Sequence, residues 1–290
     1  MSVVFLPLRK VHTNIMMGPA HSLSGAAVWL GGSAAYTIIT GTEIPPAILI
    51  MGTAVFAGAA LVPDLDSYSA TATKSFGIFG RLLYYIVNSL SMLIHGATRT
   101  KYDKPVENGH RTFMHTTVGA ALLGVLTLVL TSLPGKTEIF DKQFATGQLF
   151  AIGIMFFFLH LGLAGLFSKQ IKKAKKAFGP YLLMLVSLAI TVATAAFLPT
   201  VHANYQWLAI VVAAGAFTHI LGDTITKMGT PMAWPVKIRG KRWYDISLPT
   251  PLRITAGGSF EMVVLTPIFI LVIAAGIVLH ILLYMGLLHI

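Results

Sequence analysis

A chain of 290 residues that is 55% hydrophobic and only 11% charged lies outside the range of soluble globular proteins and inside the membrane class. It has no cysteine, which excludes disulfides, thiolate ligands and cysteine nucleophiles, so any metal site must be built from His, Asp and Glu. The formal charge of +11 would suggest nucleic acid in a soluble protein, but uneven loop charge across a membrane is the simpler account, and no nucleic-acid partner is expected.

Residues 1–15 form a tail of little pattern, and Met16 or Met17 is an alternative start. The apolar run at 18–42 is longer than a signal-peptide core and is followed at once by a second, 46–62, so both are expected to stay as membrane anchors. Five further stretches, 112–134, 144–167, 179–198, 205–226 and 261–288, reach the about 20 residues that a bilayer core requires. An eighth, FGIFGRLLYYIVNSLSMLIHG at 76–96, carries Arg81, Asn88 and His95 at intervals and reads as lying along the interface. The expected fold is all-α: a polytopic transmembrane helix bundle of about seven spanning helices plus one interfacial or re-entrant helix. Residues 1–290 are expected to form a single integral membrane domain.

Charge tests that arrangement. With seven crossings, the N-terminus, the 63–111 segment, the 168–178 loop and the 227–260 segment share one side, and 19 of the 21 Lys and Arg residues fall there. Only Lys136 and Lys142 fall on the other. By the positive-inside rule the first side is the cytoplasm, which puts a multi-pass chain in the inner membrane with its C-terminus outside the cytoplasm. A crossing at 76–96 would mix the charges.

Four polar clusters interrupt the apolar pattern: His21 in GPAHSLSG, Asp64 and Asp66 in LVPDLDS, His110 and His115 in GHRTFMHT, and His219 with Asp223 in GAFTHILGDTITKMG. Each lies at one end of an expected span, and all four land on the same side. His219 and Asp223 are i, i+4 and share a helix face. Asp64 and Asp66 follow Pro63, where an extended backbone would turn both carboxylates the same way. His110 is expected in the approach to the third span and His115 in its first turn. Lone histidines at helix ends (His12, His160, His202, His280 and His289) read as interfacial or hydrogen-bonded residues, and His95 as a candidate to line the site. Ionisable groups are costly inside a membrane and functional by default, so the four clusters are read as one site.

Histidines and aspartates without cysteine suit zinc, with manganese, iron or nickel as alternatives. Seven candidates exceed the three protein ligands of a usual catalytic zinc, which leaves room for one to three ions or for a layer of orienting groups behind the ligands. A divalent ion lowers the pKa of bound water to about 7, so hydrolysis is the natural reaction. Arg111, beside His110, has two readings: a snorkelling topology anchor, or a planar fork holding two phosphate oxygens. HExxH and GxSxG are both absent, which removes the zinc-protease and serine-elbow patterns.

The ordered set AHSLSG (20–25), PDLD (63–66), HRTFMHT (110–116) and GAFTHILGDTITKMGTPMAWP (215–235) resembles the bacterial and archaeal membrane-bound metal-dependent hydrolases, the YdjM-like or YbcI-like inner-membrane proteins. Gly215, His219, Asp223, Thr226, Gly229 and Pro235 fit its most specific motif. The pattern of that family is itself similar to the zinc-dependent phospholipase C and P1 nuclease group. The resemblance implies that His21, Asp64, His110, His115, His219 and Asp223 are metal ligands, with Asp66 either a ligand or a base behind them. Ala20, Met114 and Thr116 depart from the family pattern at neighbouring positions and leave the ligands intact.

The expectation is therefore a metal-dependent hydrolase of a phosphoester, on an amphipathic or lipid-linked substrate at the bilayer surface. Asp66 or Asp223 would handle the proton, and Arg111 would stabilise developing charge. The alternative is a divalent-metal transporter or a metal-binding membrane protein without hydrolase activity; a transporter would place its ligands nearer the midplane of the membrane.

Overall fold

The computed structural model describes residues 18–139, 142–167, 179–197 and 205–288. The 1–15 tail, the basic 168–178 loop, and His12, His202 and His289 lie outside the described residues. The protein is mostly helical: α1 (Gly18–Thr40), α2 (Pro46–Ala59), α3 (Thr71–Ser75), α4 (Ile78–Thr98), α5 (Thr117–Thr131), α6 (Thr146–Leu166), α7 (Gly179–Phe197), α8 (Trp207–Thr224) and α9 (Thr266–Tyr284). Short 3-10 turns follow α2 (Pro63–Asp66) and precede α5 (Phe113–His115), and a π-turn, Glu261–Leu265, leads into α9.

One element departs from the all-α expectation. After α5, Pro134 and Gly135 break the helix, and Lys136–Ile139 (β1) pairs antiparallel with Lys142–Ala145 (β2), matching Thr137 with Phe144. Proline and a glycine at φ 116° cannot continue a helix, and the residues beyond them form a small hairpin instead.

α2 is the centre of the bundle. Pro46 at its first turn loses no hydrogen bond there, and the helix packs on α1, α6 and α8. Val55 and Phe56 join Met155, Phe158 and Leu161 of α6 and Leu208, Val211 and Val212 of α8 in the main core. In lipid, helices associate by close packing of small residues rather than by a hydrophobic drive. Gly58 shows why: a Cβ there would lie 1.8 Å from the Phe158 carbonyl oxygen. Gly215 of α8 meets α2 the same way, 2.6 Å from the Ala59 Cβ. Gly58→Val is accordingly expected to force α2 and α6 apart, at the upper end of the ~1–3 kcal/mol typical of overpacking. Thermal unfolding in detergent checks this, and an unchanged midpoint contradicts it.

Six of the described helices are long and apolar enough to cross a membrane: α1, α2 with its following turn to Asp66, α4, α6, α8, and α9 with its π-turn. The expected seven differ at three places. The 112–134 stretch is shortened because residues 113–115 form the 3-10 turn and Thr116 Oγ1 caps α5, accepting the Gly119 N–H at 2.9 Å. The remaining 15 residues reach about 22 Å, short of a ~30 Å core. The apolar part of α7, Tyr181–Thr194, is also short, whereas the segment expected to lie along the interface forms the full-length α4.

α4 nonetheless differs from the other long helices. It buries a polar stripe of Asn88, Ser91 and His95, packed on α3 and both 3-10 turns, and exposes Phe79, Leu82, Ile86 and Leu93. The 227–260 segment is irregular and closes over the same end of the bundle, with Thr230 bridging Ile246 and Thr226 bridging Ile254. Asp103 ties it down, accepting the N–H groups of Thr100 (2.6 Å), Trp243 (2.9 Å) and Arg242 (3.2 Å). Burial alone would raise the Asp103 carboxyl, but these donors hold it below its usual range.

Candidate metal centre

The four polar clusters meet at one end of the bundle. α1 supplies His21 from its first turn, fully buried. The turn after α2 supplies Asp64 and Asp66. Sequence reasoning expected an extended backbone with both carboxylates on one side, but Pro63 opens a 3-10 turn, and residues two apart in it point different ways. Asp64 faces His115 and His219, and Asp66 faces His110 and His115.

The GHRTFMHT stretch makes this junction through its backbone. Arg111 adopts φ 55°, the left-handed region uncommon for a non-glycine residue. Its N–H then donates to Asp66 Oδ2 at 3.2 Å, while its guanidinium reaches Asp223 Oδ1 with Nη2 at 2.8 Å and donates from Nη1 to the Gly229 carbonyl at 3.0 Å. His219 and Asp223 share one face of α8 as expected, Nε2 to Oδ2 3.6 Å.

Four ligand atoms converge. His115 Nε2 lies 3.3 Å from His219 Nε2, 3.5 Å from Asp223 Oδ2 and 3.8 Å from Asp64 Oδ1. His219 Nε2 lies 3.7 Å from the same Asp64 oxygen. Ligands at ~2.0–2.2 Å around a tetrahedral zinc are separated by about 3.3–3.6 Å, a range that His115, His219 and Asp223 meet, while the Asp64 oxygen, at 3.7 and 3.8 Å, lies 0.1–0.2 Å beyond it. His21 stacks on His219 with ring centroids 3.8 Å apart and brings its Nε2 to 3.6 Å from Asp223 Oδ1. Taken as ligand groups, Asp64, Asp66, His110 and His115 form one set and His21, His219 and Asp223 another, each with atoms within 4.8 Å of one another. Both sets could hold a metal ion.

The surrounding groups aim the rings. A backbone carbonyl only accepts, so His219 Nδ1 must donate to the Ala60 carbonyl at 2.8 Å, which leaves Nε2 as the free lone pair. Asp66 does the same for His110, its Oδ1 lying 2.7 Å from His110 Nδ1, and its Oδ2 sits 3.2 Å from His115 Nδ1 as an ion-pair contact without hydrogen-bond geometry. Asn88 fixes this turn by donating to the Asp66 carbonyl at 3.0 Å. Carboxylates or carbonyls behind the ligating imidazoles are the usual supporting arrangement of a metal site. Burial pushes the His110 imidazole down, but the hydrogen bond and charge of Asp66 outweigh it and hold His110 above its ordinary value.

The chemistry of the donor set fits a cation. His21 Nδ1 and Nε2, Asp64 Oδ1, His110 Nε2 and Asp223 Oδ2 are buried without a hydrogen-bond partner. Imidazole lone pairs and carboxylate oxygens crowded in this way repel each other unless positive charge lies between them.

Other expected residues fall elsewhere. His160 accepts or donates within α6, α7 and α3 contacts, 3.2 Å from Ser187 Oγ and 3.1 Å from the Ser75 carbonyl. His280 pairs with Ser33 Oγ at 3.0 Å. Both are the hydrogen-bonded residues that were expected. Ala60 and Gly229 act through carbonyls, which no side-chain pattern reveals. Asn88 had only the weak signal of a polar residue on an apolar helix.

A family model described as YdjM inner membrane protein matches residues 16–168 and 181–288. No curated protein and no solved structure matches the chain.

Proposed function

The chain belongs to the YdjM inner membrane protein family, and from that premise we propose that it is a metal-dependent hydrolase acting on a phosphoester at the membrane surface. The observation that carries this reading is the buried convergence of His115 Nε2, His219 Nε2, Asp64 Oδ1 and Asp223 Oδ2 beside a buried arginine. These four atoms would hold a zinc ion, with His21 Nε2 and His110 Nε2 as further candidate donors. A bound zinc supplies Lewis acidity and an activated water. Asp66, engaged at both oxygens by Nδ1 atoms and by the Arg111 N–H, acts as the support that turns His110 and His115 inward. Asp223 is held against Arg111, so its role is ligation rather than uptake of a proton.

Arg111 presents the fork that stabilises charge developing on a phosphoryl group. Its 2.8 Å contact to Asp223 fixes that fork at the edge of the metal centre. The end of the bundle that carries the site faces the cytoplasm, in keeping with its cationic loops, and α4 turns its apolar face toward lipid beside the site. An amphipathic substrate then meets the site without leaving the bilayer.

The function is tested by incubating the purified protein with phospholipid vesicles and with a soluble phosphodiester, with and without chelator. Chelator-sensitive phosphate-ester cleavage that zinc restores is expected. Metal-replete protein that cleaves neither, while reconstituted vesicles accumulate zinc, would replace hydrolysis by transport.

Asp66→Asn separates support from ligation. It keeps the shape of the turn but makes the side chain a poor acceptor for one imidazole, so zinc affinity is expected to fall about 10–100-fold, the usual effect of losing an orienting partner. Competition against a chromophoric chelator measures it. An unchanged affinity removes Asp66 from the centre, and complete loss of binding makes it a ligand.

A further inference from the structure

A cavity of about 200 Å³ opens beside the metal centre, and Arg111 forms the wall between them. Arg111, Lys104 and Lys241 line it against one carboxylate, Asp245, so it carries net positive charge. Arg111 is the informative member. Its side chain is buried, one nitrogen is committed to Asp223, and its Nε has no hydrogen-bond partner. Three cationic side chains lining one cavity suit an anion with several acceptor oxygens.

Given the hydrolase reading, on which this inference rests, we propose that the cavity is a second phosphate subsite. It holds a non-scissile phosphate of the substrate through Lys104, Lys241 and Arg111, while the scissile ester occupies the metal centre on the other side of Arg111. The substrate is thereby a molecule bearing two phosphate groups, or a lipid whose headgroup ends in phosphate. The lipid source is favoured by α4: His95 in its last turn borders the cavity, and the outer face of the same helix exposes Ile86 and Leu93. A headgroup in the cavity leaves its acyl chains beside that apolar surface.

The test uses the full chain in detergent, stripped of metal with chelator so that the cavity alone is read. One arm measures equilibrium binding of radiolabelled inorganic phosphate, and the other measures binding to phosphatidylcholine vesicles with and without phosphatidic acid. Wild type is expected to bind, and Lys104→Gln with Lys241→Gln is expected to weaken binding about tenfold or more, while the zinc content of the unstripped double variant stays at the wild-type level. Lysine-dependent binding in either arm upholds the subsite, and the tighter arm identifies the source. Absent binding in both arms, or binding that the double variant retains, overturns it. A chain that binds phosphate through the lysines but never binds zinc keeps the subsite and loses the hydrolase reading, so the two fail separately.

Discussion

His219→Ala is expected to abolish stoichiometric zinc binding, with an affinity loss of at least about 100-fold, since even orienting groups behind a ligand contribute 10–100-fold. Three features make this position the most sensitive. His219 Nε2 faces His115 Nε2, Asp64 Oδ1 and Asp223 Oδ2 at 3.3, 3.7 and 3.6 Å, so it contacts each of the other three atoms of the central cluster. Its Nδ1 is fixed by the Ala60 carbonyl, so the ring cannot be replaced by a neighbour that swings in. Its ring also stacks on His21, so alanine leaves a gap on that side of the site. Loss of a buried ring in a bundle is itself destabilising, and His219→Gln serves as the control: it fills most of the volume without a ring nitrogen at the Nε2 position. Both variants are expected to lose zinc while the glutamine variant keeps its unfolding midpoint closer to metal-free wild type. Retention of one zinc per chain by either variant contradicts the assignment.

Arg111→Met is expected to leave a protein that binds zinc but is strongly impaired in turnover. The guanidinium is one half of a buried ion pair with Asp223, and removing one partner from such a pair costs about 3–5 kcal/mol because the other charge is left without compensation. A bound dication takes over much of that compensation, so the loss should appear in the metal-free protein and shrink when zinc is added. The catalytic loss does not shrink. Removing a donor aimed at developing charge costs on the order of 10²–10³ in kcat. Two readouts therefore separate the roles: unfolding midpoints with and without zinc, and turnover at saturating zinc. An arginine that is only a topology anchor would leave turnover intact, and Arg111→Lys, which keeps the charge but loses the fork, would then match wild type.

Much of the site was legible because ionisable residues are conspicuous in apolar segments. His21, Asp64, Asp66, His110, His115, His219 and Asp223 stand out for their cost in lipid, and parity of the expected spans places them at one end. The i, i+4 spacing of His219 and Asp223 was enough to place them on one face. Finer geometry was not encoded at that level. Pro-Asp-Leu-Asp is compatible with an extended run or a 3-10 turn, and the choice between them decides whether Asp66 points with Asp64 or away from it. The left-handed Arg111 carries no glycine to announce it. The Ala60 and Gly229 carbonyls are backbone atoms and leave no trace in residue types.

The helix inventory shows the same division. Long apolar runs located α1, α2, α6, α8 and α9 to within a few residues, but the turn that carries His115 displaced the start of α5, and hydropathy cannot see a turn made by site contacts. Arg81, Asn88 and His95 set α4 apart in the sequence; Asn88 and His95 lie on its buried face, whereas Arg81 is exposed and the helix is long enough to cross. The hairpin has no hydropathy signal of its own, because β1 falls in the gap between two apolar runs and the end of β2 falls inside the 144–167 run.

The central claim is that the convergent histidines and aspartates hold a metal ion. Elemental analysis of the full-length protein, purified in chelator-free buffer without added metal and counted per chain, tests it most directly. Zinc at one or more ions per chain in the wild type, and near zero in His219→Ala purified in parallel, is the predicted result. A folded wild-type protein that carries no divalent metal, and takes up none when zinc is supplied, would contradict the account.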